Sequence, residues 1–224
     1  MKKLFKLGWP ISLQINGEML SFLVSTTFIG WLGTVSLAAS QVTMQYRFLI
    51  MVPIFSISQA AGILVGQAYG AKQFSEIKHL GSASLVMTSI VMVVIGAIFI
   101  FFPRMLASLY FDVNSPQNSA VLHLVILVFI IFAFSQFFDA IRNVLTGSLR
   151  GLLDTKFPMI NGLLCIWLVS VPMGYLFAFL FHWGIVGVTL GWTSGMLLGM
   201  IVLYARWQKM HLKFSEGATH LITL

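Results

Sequence analysis

The sequence predicts an all-α integral membrane protein, a bundle of six transmembrane helices. Hydrophobic residues make up 58% of the 224 residues and charged residues only 8%, whereas soluble domains carry about 25% charged residues. The apolar residues fall in six long runs, each near the length that crosses a bilayer. Small groups of lysine and arginine separate these runs, as they do in the loops of membrane proteins.

The six runs are interpreted as one transmembrane domain, residues 1–214. Pro10 falls in the opening turn of the first helix, while Pro53 and Pro172 are expected to kink the second and fifth. A short amphipathic piece after Pro103 is expected to lie in the membrane interface. The predicted helices run over about 7–31, 37–69, 80–102, 119–149, 157–181 and 185–207, with a short cytoplasmic tail at 215–224.

The basic residues predict the orientation. Of the 13 lysines and arginines, ten lie at the termini and in alternate loops, Arg104 alone lies on the other side, and Arg47 and Arg142 lie within spans. By the positive-inside rule, both termini and the loop at 66–78 should be cytoplasmic. The net charge of +7 does not indicate a nucleic-acid partner, because the basic residues form no stripe with stacking aromatic side chains.

Two of the predicted helices carry a polar stripe. Residues spaced three and four apart share one face of a helix. A charge at the bilayer centre costs on the order of 3 kcal/mol, and such residues usually face a water-filled path. The stripe of the first helix consists of Gln14, Glu18, Ser21 and Ser25, and that of the fourth consists of Gln136, Asp139, Asn143, Thr146 and Arg150.

Four charged side chains, Glu18, Arg47, Asp139 and Arg142, lie inside the predicted spans. One interpretation is that the two acids form a cation or proton site, since a carboxylate shielded from water can change charge near neutral pH. The other is a pair of structural salt bridges, Asp139 with Arg142 on one helix face and Glu18 with Arg47 across a helix pair. The first is favoured because a membrane helix with no use for a charge normally lacks one.

The sequence does not indicate an enzyme. It contains no Walker-type glycine loop, no GxSxG motif and no metal-ligand spacing among its five histidines. Its single cysteine, Cys165, excludes an intramolecular disulfide. We therefore expect no catalytic residues, no metal site and no cofactor.

Glycines recur at every fourth position of the sixth predicted helix. Gly187, Gly191, Gly195 and Gly199 make a small-xxx-small face. Such a face lets a neighbouring backbone approach closely. We expect this face to pack inside the bundle, with a glycine-lined pore as the weaker alternative.

Five stretches of the sequence resemble the C-terminal half of the multidrug and toxic compound extrusion (MATE) transporters, of the NorM-like bacterial type. The combination of the glutamine-glycine and RGxxDTxxP pieces is fairly specific, and the stretches span nearly the whole chain. They are LGWPISLQINGEMLSF (7–22), GWLGTVSLAASQV (30–42), MVPIFSISQAAGILVGQAYGA (51–71), FFP (101–103) and QFFDAIRNVLTGSLRGLLDTKFP (136–158).

The resemblance implies two six-helix bundles that face each other in a bacterial inner membrane. A drug-like or organic cation binds between them, and Na⁺ or H⁺ binding to buried acids drives the change of access. Matched to the motifs, Glu18 and Asp139 are the cation-coupling residues. Arg47 and Arg142 are possible charge partners of these acids by their position within the spans and not by the resemblance. The expected cavity-lining residues are Gln14, Ser21, Gln136, Asn143 and Thr146.

The chain departs from this pattern in three ways. It holds one bundle where the family has two, Arg47 and Arg142 stand where uncharged residues are expected, and Ser135 stands where relatives often carry an aromatic residue. The favoured hypothesis is half of a cation-coupled exporter, working with a second bundle from another chain or a second copy. The alternatives are a truncated or split-gene membrane fragment without transport, and a small proton-linked membrane enzyme or regulator.

Overall fold

The computed structural model describes the backbone of residues 2–222 and the side chains of residue 5 and residues 7–210. These residues are helical apart from short connections, which confirms the all-α prediction. The first and third helices begin several residues before the predicted limits, at Lys2 and Phe74. The helices are α1 (Lys2–Trp31), α2 (Thr34–Gly70), α3 (Phe74–Phe101), α4 (Pro103–Ser108), α5 (Ser119–Gly151), α6 (Lys156–Leu164), α7 (Val171–Tyr175) and α8 (Gly184–Ile222), with a 3₁₀ turn at Pro116–Asn118.

Five stretches of the described residues are long and apolar enough to cross a bilayer. Helix α1 has 30 residues but is more polar, because it contains Gln14, Asn16 and Glu18. Its crossing of the membrane therefore remains a prediction. The five stretches are Thr34–Gly70, Phe74–Phe101, Pro116–Gly151, Lys156–Leu180 and Gly184–Met210.

Helix α8 is longer than predicted, since it continues to Ile222 instead of ending near residue 207. No proline interrupts residues 208–222, so the backbone hydrogen bonds of the helix can continue. Most of the predicted tail is thus helical. Its last two residues, 223 and 224, lie outside the described part of the chain.

The fifth predicted helix is one continuous stretch with two wider turns. Helices α6 and α7 are joined by a π-helical segment at Cys165–Ser170, and a second π-helical segment follows at Leu176–Leu180. Pro172 lies just after the first segment. Proline lacks the N–H that an α-helical bond would use, and a local π-type turn is one way in which a membrane helix accommodates that loss.

The glycine face of α8 packs against this stretch inside the bundle, as predicted. A Cβ atom added to Gly191 would collide with the backbone of Gly174, and one added to Gly187 would lie 2.5 Å from the backbone nitrogen of Ala178. Only glycine permits such a close approach of two backbones. Helix α8 is therefore held close to α7 and to the second π-helical segment.

Helix α5 lies at the centre of the bundle and packs against α2, α3 and α8. Near one end, an aromatic cluster fixes it to its neighbours, with the ring centroids of Tyr46 and Phe129 5.5 Å apart and those of Phe99 and Phe129 5.1 Å apart. Towards the other end, Gly62 and Gly147 allow close contact with α2, where Ser58 Oγ donates to the carbonyl of Asn143 at 2.7 Å. The polar stripe of α5 thereby lies where α1, α2 and α8 meet.

Candidate functional site at the centre of the bundle

One arginine joins the two acids that the polar stripes contain. Arg142 Nη1 donates to Oε1 of Glu18 at 3.1 Å, while its Nη2 and Nε donate to Oδ1 of Asp139 at 3.0 and 3.1 Å. Asp139 and Arg142 are neighbours on α5 because three positions separate them. Glu18 reaches the same guanidinium from α1. A single cation thus binds two carboxylates on different helices.

The hydrogen-bonded chain continues along α1 and α5. Gln14 Nε2 donates to Oε1 of Glu18 at 3.0 Å, and Gln14 Oε1 accepts a bond from Nη2 of Arg150 at 3.0 Å. In the other direction, Asn143 Nδ2 donates to Oδ1 of Asp139 at 3.1 Å. The network therefore extends from the middle of α5 to its last turn.

Burial is unequal within this network. The side chain of Arg142 is 4% exposed, whereas those of Glu18 and Asp139 are 29% and 14% exposed. A buried guanidinium requires paired acceptors, and removing one partner of a buried ion pair typically costs about 3–5 kcal/mol. Arg142 is therefore fixed by the two acids, and the acids keep one side open to a cleft.

The structure does not contain the Glu18–Arg47 salt bridge of the less favoured interpretation. The partner of Glu18 is Arg142, whereas Arg47 makes no hydrogen bond or ion pair with any other residue whose side chain the structure describes. The guanidinium of Arg47 instead lies over two rings, 5.3 Å from the centroid of Phe22 and 4.9 Å from that of Trp192. The rotation of α1 about its axis decides which arginine Glu18 meets, and residue spacing does not encode that rotation.

Two clefts open on either side of this arginine and its two rings. The acid cleft contains Glu18, Gln136, Asp139, Arg142 and Asn143. The Arg47 pocket is lined by small hydroxyl side chains and apolar residues from α1, α2, α5 and α8. Phe22, Arg47 and Trp192 line both, so these three side chains form the layer between the acid cleft and the Arg47 pocket.

The other expected lining residues are buried against helices and do not line either cleft. Ser21 is fully buried and donates to the carbonyl of Glu18 at 2.7 Å. Thr146 is 3% exposed and donates to the carbonyl of Arg142 at 2.8 Å. Gln14 is 4% exposed and takes part only in the polar network. Gln136 and Asn143 do line the acid cleft.

Phe22 and Trp192 are residues of the candidate site that the sequence alone did not indicate. Trp192 Nε1 donates to Oγ of Ser25 at 2.9 Å, which fixes the indole ring beneath Arg47. An arginine well inside an apolar span, with no acid at helical spacing, is the one signal that could have pointed to an aromatic partner.

The sequence of this chain matches a known protein family. A sequence model of the family described as MatE matches residues 10–176. The chain belongs to the MatE family. This MatE chain is 31% identical over 208 residues to the "Probable multidrug resistance protein NorM" of Brucella suis, covering 92% of this chain and 44% of that protein. It is 33% identical over 205 residues to the protein of the same description from Mesorhizobium japonicum, covering 91% and 44%.

The architecture also matches solved structures. The MATE transporter VcmN of Vibrio cholerae, in its bent form, superposes with a TM-score of 0.85 at 21% identity, covering 94% of this chain and 47% of that one. At that identity the match establishes the fold. The chain spans less than half the length of these relatives, as expected for a half-length MATE protein.

Proposed function

We propose that this MatE chain forms half of a secondary exporter in a bacterial inner membrane. It acts with a second six-helix bundle, supplied by a separate chain or by a second copy. The observation that carries the proposal is the Glu18–Arg142–Asp139 network, two acids and one shared arginine facing a cleft inside an apolar bundle. Charged groups at membrane depth mark ion and substrate pathways.

The coupling ion competes with Arg142 for the same oxygen atoms. Na⁺ is bound by oxygen ligands, and the guanidinium occupies Oε1 of Glu18 and Oδ1 of Asp139. A proton on either acid removes the negative charge that holds the guanidinium. Uptake of Na⁺ or H⁺ therefore accompanies release of Arg142 from one carboxylate. When that carboxylate is Glu18, the contact between α1 and α5 is lost as well.

The second bundle covers the open side of the acid cleft. Its rim carries exposed apolar side chains, Met19, Phe48, Met51 and Phe55, beside the partly exposed acids. Acids facing lipid are costly. A facing bundle would remove that exposure and complete the two-sided cavity that rocking between access states requires.

The family resemblance implies a drug-like or organic cation as the substrate. The apolar rim fits a drug-like molecule, and the relatives above are described as multidrug resistance proteins. The acid cleft does not have a surplus of negative charge, since Glu18 and Asp139 are balanced by Arg47 and Arg142.

Reconstitution tests the proposal. Proteoliposomes with this chain and the other six-helix half of a NorM relative should show ion-driven efflux of a drug-like dye, and Asp139→Asn should abolish it. Asp112→Asn, at an exposed residue between α4 and α5, is the matched control and should leave efflux unchanged. Efflux from this chain alone, shown by cross-linking to be a homodimer, would identify a second copy as the partner.

Two results would contradict the proposal. Efflux from a preparation shown by cross-linking to be monomeric would remove the need for a second bundle. No efflux with any partner would favour the alternative, a truncated or split-gene fragment that folds but does not transport.

A further inference from the structure

The Arg47 pocket differs in charge from the acid cleft beside it. Arg47 is the one charged side chain among the described residues that line it. Its walls are apolar and include Ile29, Phe132 and Val188. An apolar pocket with a single charged group at one end is complementary to an amphipathic ligand of the opposite charge.

Most of the hydroxyl groups in this pocket already donate within their own helices. Ser25, Thr26, Ser40, Thr43 and Thr189 each donate to a backbone carbonyl three or four residues earlier, at 2.7 to 3.1 Å. Arg47 and Ser135 make no hydrogen bond to another residue whose side chain is described, although Ser135 is only 5% exposed. The hydroxyls that donate within their helices keep acceptor lone pairs, whereas the unused hydrogen-bond donors of the pocket are those of Arg47 and Ser135. A ligand that binds to these donors has to bring an acceptor.

A cationic ligand fits this pocket poorly. A cation-binding aromatic site needs a free ring face, but the guanidinium of Arg47 already lies over one face of Phe22 and one face of Trp192, 5.3 and 4.9 Å from their centroids. The nearest carboxylates, Glu18 and Asp139, are bound to Arg142. A positive ligand would therefore meet a like charge without an acid free to offset it.

We infer that the Arg47 pocket binds the carboxylate of a small aromatic acid. The guanidinium donates two parallel hydrogen bonds to the carboxylate, the arrangement for which arginine is suited. The hydroxyl of Ser135 donates a third. The aromatic body lies against the apolar walls formed by Ile29, Phe132 and Val188. This binding does not rest on the proposed function, in which the transported substrate is a drug-like molecule or an organic cation.

The test compares three probes that share one ring system and differ in charge: naphthoate, its neutral amide and naphthylmethylammonium. The purified chain is held in nanodiscs of zwitterionic lipid, and binding is measured by calorimetry. Naphthoate should bind at least about tenfold more tightly than either other probe, as expected for hydrogen bonds between two charged groups. Equal binding of the three probes, or no binding of naphthoate, would overturn the inference.

Substitutions test whether Arg47 causes the preference for naphthoate. Arg47→Gln should remove the preference for naphthoate, whereas Arg47→Lys should keep a weaker preference, because the charge remains and the two-pronged geometry is lost. Arg104→Gln, at an exposed arginine of α4 outside both clefts, is the control and should change nothing. If Arg47→Gln does not fold, Arg47→Lys and Ser135→Ala test the same assignment. Each of these variants should weaken the binding of naphthoate more than the binding of the amide. A preference that persists unchanged in these variants would contradict the assignment.

These measurements separate the ligand from the transport cycle, because they need neither an ion gradient nor a second bundle. Naphthoate binding without efflux would support the pocket and count against the exporter. Efflux of dyes without naphthoate binding would do the reverse. Displacement of naphthoate by phosphatidylglycerol at similar concentration would also contradict the inference, since the pocket would then be a lipid-headgroup site.

Discussion

Arg142 Nη1 lies 3.1 Å from Oε1 of Glu18, although the two residues are 124 positions apart. This contact joins α1 to α5 at the depth where both helices carry their acids. The same guanidinium is bound to Asp139 one turn away. The protonation and ion occupancy of the two acids and the contact between the two helices are therefore physically connected.

Arg142→Gln should make the chain respond more strongly to Na⁺ and pH. Without the guanidinium, the oxygen atoms of Glu18 and Asp139 are available to a cation. Loss of the buried partner should also lower the free energy of unfolding by about 3 kcal/mol. The response is measured as the change in tryptophan fluorescence during a Na⁺ or pH titration of the purified protein.

Two further variants serve as controls for that titration. Asp139→Asn should abolish the response, and Arg206→Gln, which removes an ion pair outside the network, should leave it as in the unchanged chain. A titration that Arg142→Gln does not alter, while Asp139→Asn abolishes it, would show that Arg142 does not compete with the ion.

Gly191→Ala should destabilise the bundle by about 1–3 kcal/mol, because the new methyl group meets the backbone of Gly174. Gly30→Ala is the matched control: it is also in a helix, and a Cβ at Gly30 has no neighbour within 4 Å. That change should be neutral or raise stability by up to about 1 kcal/mol. The thermal unfolding midpoints of the two variants are compared in detergent. Equal midpoints would show that α8 can move away from α7 at little cost in free energy.

Asp154→Asn should cost on the order of 1 kcal/mol at low salt and less at high salt. Arg206 Nη2 and Nε donate to Oδ2 of Asp154 at 2.9 and 3.0 Å, and the arginine is about one third exposed. Surface ion pairs of this kind contribute little and are screened by salt. Denaturant unfolding of both proteins at two salt concentrations measures the loss of unfolding free energy. If that loss does not fall with salt, the hydrogen bond from the N–H of Phe157 to Oδ1 of Asp154 contributes more to stability than the ion pair does.

Both termini and the loop at 66–78 should face the cytoplasm. A cysteine placed at Lys72 should then resist an impermeant external reagent in whole cells, whereas one placed at Asn114 should react. Both positions are exposed, and Cys165→Ala removes the background thiol. External labelling at residue 72 with protection at residue 114 would show that the topology is the reverse of the predicted one.

Much of the fold follows from the sequence, because hydropathy and helical period act locally. Long apolar runs separated by basic turns give the helices and their approximate limits. The four-residue spacing of Gly187, Gly191 and Gly195 gives the packing face of α8. The π-helical segments beside Pro172 could not be predicted, since a wider turn depends on the neighbouring backbone and leaves no pattern in the residues.

The candidate site is predicted only in part. Helical spacing places Asp139 and Arg142 on one face of α5, where the two side chains are hydrogen-bonded. It does not determine which arginine meets Glu18, because that depends on the relative rotation of α1, α2 and α5. Spacing also cannot distinguish a side chain that faces a cleft from one, such as Thr146, that donates to its own helix.

The shared guanidinium makes Glu18 and Asp139 thermodynamically reciprocal. If occupancy of Glu18 by an ion changes the affinity of Asp139 by some factor, occupancy of Asp139 must change the affinity of Glu18 by the same factor. When an ion displaces Arg142 from one acid, the positive charge of the guanidinium is paired with the other acid alone. That second acid then binds Arg142 more strongly and is harder for an ion to occupy. The pair should therefore take up its first cation more readily than its second, and an exporter built on it would exchange a single positive charge in each cycle.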